Sequence, residues 1–282
     1  MNNSERYLDS SFQACKSITK TYSTSFSLGI FCLGKDIRND IYSIYGFVRV
    51  ADEIVDTFFD IDQSNKLNDF HQSTLESIKN SYSSNLILHA FQHVINTYQI
   101  DIDLVDSFFK SMKADLTKKS YDKESYEEYI YGSAEVVGLM CLYVFLNGDQ
   151  EKYNELKKYA QKLGSAFQKV NFLRDFHEDY ELKGRAYFPE FEMNGKFDDS
   201  SKKQIEIDIQ KDFDESINGI KRLPSSSCLG VYLAYRYYNK LLKKLKSTSA
   251  SKLLNSRIRV NNFQKFTLLP SAILFSLFMR KA

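Results

Sequence analysis

Apolar side chains recur every three or four positions along most of this chain, with polar and charged side chains between them. That period is typical of one face of an α-helix. The pattern therefore predicts an all-α protein that forms a single domain over residues 1–282. The predicted helices cover residues 5–18, 25–33, 36–59, 68–79, 85–98, 101–116, 125–146, 151–179, 201–222, 228–246 and 250–279.

Three of the later segments carry additional signals. The centre of 125–146 reads VVGLMCLYVFL, which predicts a helix buried on nearly all sides. Gly184, Pro189 and Gly195 make 181–199 a predicted loop. Pro270 lies inside the last periodic segment and is expected to kink that helix.

Composition agrees with long helices and excludes several classes of protein. Only 3 prolines and 11 glycines occur, and so few turn-forming residues disfavour an all-β sandwich or barrel. The 38 basic and 36 acidic side chains leave a net charge of +2, so no basic excess indicates a nucleic-acid partner. The 4 cysteines form no CxxC pair, which favours a reducing cytoplasm over a disulfide framework.

The two ends of the chain bear on localisation. The first residues, MNNSERYLDSSFQ, are polar and contain no apolar core typical of a signal peptide. The longest apolar stretch, 266–279, is shorter than the roughly 20 residues that span a bilayer. We expect this end to close the core or, with Arg280 and Lys281, to touch a membrane surface through 266–281. The prediction is a cytoplasmic protein with peripheral membrane contact, its oligomeric state left open.

Aspartates four positions apart form the pattern with the most chemical content. Positions i and i+4 of a helix lie on one face about 5–6 Å apart, so two carboxylates there repel each other unless a cation lies between them. Oxygen ligands favour a hard divalent ion such as Mg²⁺, which keeps substrate phosphates in its shell. The chain contains five such pairs: Asp36/Asp40, Asp52/Asp56, Asp56/Asp60, Asp175/Asp179 and Asp208/Asp212.

Sequence context separates these pairs. Asp52 lies among apolar residues in IYSIYGFVRVADEIVD, whereas the pairs 36/40 and 208/212 have polar neighbours and are expected to face solvent. The 151–179 helix carries one polar stripe on an otherwise apolar surface, which is costly in a core unless a ligand needs it. That stripe consists of Gln168, Asn171, Asp175 and Asp179.

Two acidic stripes on facing helices could hold a cluster of cations across a cavity, where it would stabilise a diphosphate leaving group. Seven stretches extend this interpretation along the chain: YSTSF (22–26), YGFVRVADEIVD (45–56), MKADL (112–116), YEEYIYGSAEVVGLM (126–140), QKVNFLRDFHEDYELKGRAYFP (168–189), AYRYYNKLL (234–242) and RIRVNNFQK (257–265). Together, in this order and spacing, they resemble the squalene and phytoene synthase family of head-to-head prenyl transferases.

The resemblance implies an isoprenoid-synthase helical bundle around a central cavity, and it implies roles for individual residues. Asp52, Asp56, Asp175 and Asp179, with Asn171, would hold Mg²⁺ against substrate diphosphates. Tyr131 would project into the cavity as a catalytic residue. For substrate binding, the resemblance implies Ser23, Ser25, Phe26, Tyr45, Arg49, Gln168, Asn171, Arg174, Tyr238 and Arg257.

Three positions depart from the family pattern. Thr24 stands where some members carry Lys, which removes one phosphate-binding cation. Glu53 makes the first motif Asp-Glu rather than Asp-Asp. Glu135 stands where a small residue is common, so the lining of that cavity helix is expected to differ from the family pattern.

The implied reaction is a Mg²⁺-dependent condensation of two geranylgeranyl diphosphates to phytoene through a cyclopropyl diphosphate, a step of carotenoid biosynthesis. No GxGxxG occurs and no NADPH is expected. The 22 Phe and 19 Tyr could stabilise carbocations through their ring faces. The alternatives are a squalene or dehydrosqualene synthase that uses farnesyl diphosphate, a non-catalytic scaffold relative, and a head-to-tail elongase or terpene cyclase.

Overall fold

The computed structural model describes residues 2–189, 197–258 and 268–279. These residues form α-helices and two π-helical turns, Tyr131–Glu135 and Glu178–Leu182, which confirms the all-α prediction. Ser120 and Ala186 form an isolated parallel β-bridge. The helices are α1 Asn3–Tyr22, α2 Thr24–Phe31, α3 Arg38–Asp56, α4 Gln63–Asn80, α5 Leu86–Tyr98, α6 Ile102–Thr117, α7 Lys123–Ile130, α8 Val136–Phe145, α9 Gln150–His177, α10 Asp199–Ile220, α11 Ser225–Lys246, α12 Ala250–Leu253 and α13 Leu269–Met279.

Polar residues directly before the helices fix where many of them begin. The side chain of Ser23 accepts a hydrogen bond from the backbone N–H of Phe26, which separates α2 from α1. Such caps satisfy backbone N–H groups that have no partner within the helix. Side-chain caps of the same kind are made by Asn2, Asp62, Asn85, Asp101, Asp122, Asp149 and Asp198.

Helix α9 lies at the centre of the bundle and positions the site. It packs against α8, α10 and α11 and against the first π-helical turn. A second layer is formed by α1, α3 and α5, where the ring of Phe47 stacks on that of Phe91 with centroids 3.7 Å apart. A cavity lies between these layers. Among the described residues, no helix is long and apolar enough to cross a membrane.

The predicted helix 125–146 is interrupted. It is divided into α7, the π-helical turn Tyr131–Glu135 and α8. A β-carbon on Gly132 would lie 2.4 Å from the carbonyl oxygen of Ser107, and one on Gly164 would lie 2.7 Å from that of Ala134. The turn is therefore pressed closely between α6 and α9, and π-helical turns of this kind are frequent at functional sites.

The prediction of one kinked helix over 250–279 is wrong. Helix α12 ends at Leu253, residues 254–258 are not helical, and α13 begins at Leu269. Pro270 lies in the first turn of α13, where the missing N–H of proline removes no helical hydrogen bond. Proline therefore starts a helix here. The predicted segments 257–265 and 266–281 lie partly outside the described residues.

Two aspartates expected to face solvent are buried. Asp40 is 8% exposed and accepts a hydrogen bond of 2.8 Å from the hydroxyl of Tyr98. Asp212 is 2% exposed and lies 2.7 Å from Lys169 Nζ and 3.0 Å from Lys162 Nζ. Partners distant in sequence satisfy both carboxylates, so polar neighbours along the chain did not indicate exposure at these positions.

Candidate active site

An elongated apolar cavity of about 310 Å³ runs alongside α9. Its lining residues on α9 extend from Leu156 to Asn171, a rise of roughly 22 Å along the helix axis. Most of the lining is aliphatic or aromatic, and glycine and alanine at several positions keep the space open. The size and lining are those of a site for a long apolar ligand.

The lining becomes polar at one end, which we call the mouth: Phe26, Tyr45, Gln168, Asn171 and Tyr238. The hydroxyl of Tyr238 donates to Asn171 Oδ1 at 3.3 Å. The ring of Phe26 packs against those of Tyr45 and Tyr238, with centroids 5.6 and 6.0 Å away. The structure thus brings together five residues that the resemblance had assigned to substrate binding.

The first aspartate pair continues from the mouth along α3. Asp52 lies one helical turn beyond Val48, which lines the cavity. Arg49 Nη1 is 2.7 Å from Asp52 Oδ2, and the same guanidinium pairs with Glu53. Loss of surrounding water, together with the charge of Asp56, raises the pKa of Asp52 to about 6 despite the attraction of Arg49.

Asp56, the last residue of α3, is bound by two cations from the segment that follows the second aspartate motif. Lys183 Nζ lies 2.7 Å from Asp56 Oδ2, and Arg185 Nη1 lies 2.8 Å from Asp56 Oδ1. Burial alone would raise the pKa of Asp56, but the charges and hydrogen bonds of Lys183 and Arg185 outweigh it and lower that pKa. The two aspartate motifs are therefore joined by ion pairs.

The second pair spans the end of α9. Asp175 is held by Arg174 Nε and Arg257 Nε, each 2.8 Å from its Oδ1. Asp179 lies in the π-helical turn Glu178–Leu182, so the spacing between the two carboxylates is not that of a regular α-helix. Burial and the charges of Asp175 and Asp56 raise the pKa of Asp179 to about 6, although Lys183 opposes the shift.

One further aspartate, next to the two aspartate pairs, was missed by the sequence analysis. Asp115 on α6 accepts hydrogen bonds from the hydroxyls of Tyr129 at 2.5 Å and Tyr187 at 3.0 Å. Arg185 Nη1 lies 4.0 Å away and thereby connects Asp115 to Asp56. Burial raises the pKa of Asp115 to about 7. A single aspartate in MKADL carries no spacing signal, although that stretch was part of the family resemblance.

Apart from the motif aspartates and the arginines that pair with them, three further predicted residues are absent from the described lining of the cavity. Ser23 caps α2 and hydrogen-bonds with Tyr45, and Ser25 lies in the first turn of the same helix. Tyr131 is absent from the described lining; it packs against the core near Glu135 and Asp101, and burial raises its pKa. Tyr131 begins the π-helical turn and stays a predicted catalytic residue that lies outside the described lining of this cavity.

The donor chemistry of the four motif aspartates, Asp52, Asp56, Asp175 and Asp179, fits Mg²⁺. All supply carboxylate oxygens, and repulsion from neighbouring carboxylates contributes to the raised pKa values of Asp52, which is close to Asp56, and of Asp179, which is close to Asp175 and Asp56. A divalent ion would relieve that repulsion. Within the described ranges, however, no three acidic, histidine or cysteine side chains converge on one point. Ion pairs with lysine and arginine occupy several of these oxygens instead.

Comparison with known proteins agrees with this geometry. A family model described as squalene/phytoene synthase matches residues 19–264. The chain is 26% identical over 276 residues to 4,4'-diapophytoene synthase of Staphylococcus haemolyticus, covering 92% of this chain and 94% of the relative. It is 28% identical over 290 residues to chloroplastic phytoene synthase 2 of Solanum lycopersicum, covering 96% and 92%.

Solved structures show the same fold. A dehydrosqualene synthase in complex with ligand superposes with a TM-score of 0.81 at 23% identity, covering 96% of this chain and 98% of the other. The squalene synthase HpnC of Alicyclobacillus acidocaldarius gives a TM-score of 0.73 at 21% identity, with 85% and 94% covered. The predicted isoprenoid-synthase bundle is thus confirmed as the fold.

Proposed function

We propose that this chain, which belongs to the squalene/phytoene synthase family, condenses two molecules of geranylgeranyl diphosphate head to head to give phytoene. The observation that supports this most is that the four motif aspartates adjoin the mouth of the apolar cavity, with Asp52 one helical turn beyond Val48 and Asp175 one helical turn beyond Asn171. An apolar tail and a diphosphate head need this combination of environments. Prenyl transfer is common to the family, whereas the choice of substrate is our proposal.

The four motif aspartates and Asn171 are proposed to hold Mg²⁺, which when bound would neutralise charge on the diphosphates and assist their departure. Arg49, Arg174 and Arg257 already lie beside these carboxylates and are proposed to bind or orient the diphosphates. Ser23 and Ser25 would do so at the start of α2. Each of these arginines lies next to a motif aspartate. When a diphosphate enters, the arginine would exchange its carboxylate partner for the diphosphate.

The aromatic and aliphatic walls of the cavity would stabilise the carbocations of the reaction and keep water away from them. Loss of the first diphosphate leaves an allylic cation, which the double bond of the second molecule attacks, and loss of a proton closes a cyclopropane ring. Loss of the second diphosphate, rearrangement and a second proton loss give the linear product, which has a conjugated triene at its centre. Phe167 stacks on Tyr238 with centroids 4.0 Å apart, so aromatic faces border the mouth where these cations form. Aliphatic side chains exclude the water that would quench them.

Farnesyl diphosphate is the competing substrate, and the names of two similar proteins favour it. The diapophytoene synthase relative and the dehydrosqualene synthase structure are named for shorter products, while the tomato relative is named for phytoene. Because no dinucleotide-binding motif occurs in the sequence, we propose that neither product requires NADPH.

Product analysis tests the substrate. Purified protein with Mg²⁺ is supplied with geranylgeranyl or farnesyl diphosphate, each with and without NADPH. We expect a C40 hydrocarbon from the longer substrate, with hydrogen content unchanged by NADPH. A C30 hydrocarbon made in preference from the shorter substrate would refute the substrate assignment. A strict requirement for NADPH would place the protein with the squalene synthases.

Membrane contact by the C-terminal segment is a separate proposal. In α13, Ala272 is buried and Phe275 stacks on Tyr232 with centroids 3.7 Å apart, whereas Ile273 and Leu274 are 42% and 57% exposed. One side of the helix thus closes the core and another side is free to meet lipid. Flotation of the full chain with anionic liposomes tests this, with Leu274→Glu as the variant expected to float less. Equal flotation of both proteins would contradict it.

A further inference from the structure

Lys183 connects the two aspartate motifs through a single ammonium group. Its Nζ lies 2.7 Å from Asp56 Oδ2 and 3.6 Å from Asp179 Oδ1. One carboxylate belongs to the end of α3 and the other to the π-helical turn after α9. The ammonium therefore occupies a position that a divalent cation shared by the two motifs would need.

The backbone around Lys183 is fixed, whereas its side chain has room to move. The N–H of Lys183 donates to the carbonyl of Glu178 at 3.3 Å, and that of Arg185 donates to the carbonyl of Asp179 at 2.8 Å. Gly184 between them has φ +62°, a conformation that favours glycine. The Lys183 side chain is 26% exposed and unbranched, so its ammonium can leave the carboxylates without moving the chain.

Arg185 differs from Lys183 although both contact Asp56. Its side chain is 8% exposed, and its guanidinium also lies 4.0 Å from Asp115, which two tyrosine hydroxyls hold in place. Both cations lie between two carboxylates, but the guanidinium is planar and buried, whereas the ammonium of Lys183 is a compact charge on a flexible, partly exposed side chain. Of the two cations, Lys183 is the one that can be displaced.

We propose that Lys183 is an internal cation that competes with the metal for Asp56 and Asp179 and turns to the diphosphate when a metal–diphosphate complex binds. This inference rests on the proposed function. It predicts that the metal alone binds weakly, because it must displace the ammonium without giving it another partner. Diphosphate supplies that partner, so metal and diphosphate strengthen each other's binding, and by thermodynamic linkage to the same extent.

Mn²⁺ binding in the absence of any prenyl substrate tests the proposal. Free Mn²⁺ is measured by electron paramagnetic resonance during titration of the full-length protein, with and without inorganic pyrophosphate. The test variant is Lys183→Met, which removes the charge and keeps an unbranched side chain. Lys119→Met serves as the matched control, because Lys119 is exposed and its backbone carbonyl, which accepts from Ala186, is retained. Thermal melting checks that each variant is folded.

In Lys183→Met we expect Mn²⁺ alone to bind about tenfold more tightly than in the wild type, and pyrophosphate to add correspondingly less. Lys119→Met should behave as the wild type. Unchanged or weaker binding of Mn²⁺ alone to a folded Lys183→Met protein, or an undiminished effect of pyrophosphate, would overturn the inference. Failure of the proposed function would look different: Mn²⁺ would not bind even to the wild type with pyrophosphate, and the competition proposed for Lys183 would fall with it.

Discussion

The aspartates at the mouth and the pair Asp208/Asp212 on α10 share a sequence spacing and differ in their surroundings. Asp212 is satisfied by Lys162, Lys169 and a hydrogen bond from Ser165, and although burial opposes it, these partners lower its pKa. At the mouth, crowding by other carboxylates adds to burial, and the pKa values of Asp52 and Asp179 rise to about 6.

These opposite pKa shifts distinguish a structural ion cluster from a ligand-binding site. In the cluster between α9 and α10, each buried charge has a fixed partner, so nothing further is needed to neutralise it. At the mouth, Asp56 is paired as well, but the raised pKa values of Asp52 and Asp179 mark carboxylates whose ionised form is still unfavourable, which is a property of functional sites. Spacing brings two carboxylates to one helix face, and the neighbouring helices decide what the carboxylates do.

The largest expected effect is on catalysis at the mouth. Asp52→Asn or Asp175→Asn should lower the rate of prenyl transfer by more than about 100-fold, because each removes a charged oxygen ligand and adds no bulk. Rates are measured by product formation with Mg²⁺ and geranylgeranyl diphosphate. Thermal melting should show that both variants remain folded. Asp36→Asn, an exposed aspartate outside both motifs, is the control and should be nearly silent.

The buried cluster should respond in the opposite way. Asp212→Asn leaves Lys169, which is 10% exposed, paired with the half-exposed Asp208 and without its buried carboxylate partner. Removing one member of a buried ion pair typically destabilises a protein by about 3–5 kcal/mol. Urea unfolding should show a loss of that order, while the folded fraction retains its rate of prenyl transfer. A stable Asp212→Asn protein without activity would break the distinction between the two regions.

The two regions should also differ in the sign of their pH dependence. A carboxyl with a raised pKa binds more protons in the folded than in the unfolded state between about pH 4 and 6, so its contribution to stability falls as pH rises through that range. Mg²⁺ binds the ionised form. We therefore expect Mg²⁺ to raise the melting temperature more at pH 7.5 than at pH 5.

Asp212 has a lowered pKa, so its stabilising contribution is present above the unfolded-state pKa of about 4 and is lost as pH falls below that value. The titration of Asp212 itself should therefore make no difference between pH 5 and pH 7.5 to the stability gap between wild type and Asp212→Asn, and a change in that gap would report the neighbouring Glu135, whose pKa is raised to about 7 by burial and by the charge of Asp212. Thermal melting of both proteins at the two pH values measures the gap.

The Mg²⁺ prediction has its own contradicting outcome. If Mg²⁺ raised the melting temperature equally at pH 5 and pH 7.5, the mouth carboxylates would not titrate in this range.

The sequence predicted the helices well because their periodicity is local information. It also selected the two aspartate motifs, since apolar neighbours marked Asp52 and a polar stripe marked Asp175. It could not predict features that depend on packing between distant segments. The π-helical turns at Tyr131 and Glu178 arise where neighbouring helices approach closely or the chain turns toward α3.

Single residues far apart in sequence were missed for the same reason. Asp115, Lys183 and Arg185 meet only because the segment after α9 folds back between α3 and α6. None of them carries a spacing signal. Asp40 and Asp212 looked exposed because their partners Tyr98 and Lys169 lie on other helices. Burial of a polar residue is a property of the tertiary structure, and polar neighbours along the chain do not report it.

The smallest expected effects come from two tyrosine hydroxyls that contact a polar side chain. Tyr238→Phe removes a hydrogen bond of 3.3 Å to Asn171 at the mouth, and Tyr98→Phe removes one of 2.8 Å to the buried Asp40. A hydrogen bond to a charged group contributes about 1.5–3 kcal/mol and one between neutral groups about 0.5–1.5 kcal/mol. Tyr98→Phe should therefore lose more stability and keep its activity. Tyr238→Phe should remain nearly as stable as the wild type and lose activity a few-fold, because Asn171, which is proposed to hold Mg²⁺, loses the hydrogen bond to its Oδ1. Stability is measured by urea unfolding and activity by product formation. A Tyr238→Phe protein that is less stable but fully active would show that the Tyr238 hydroxyl has a structural role only.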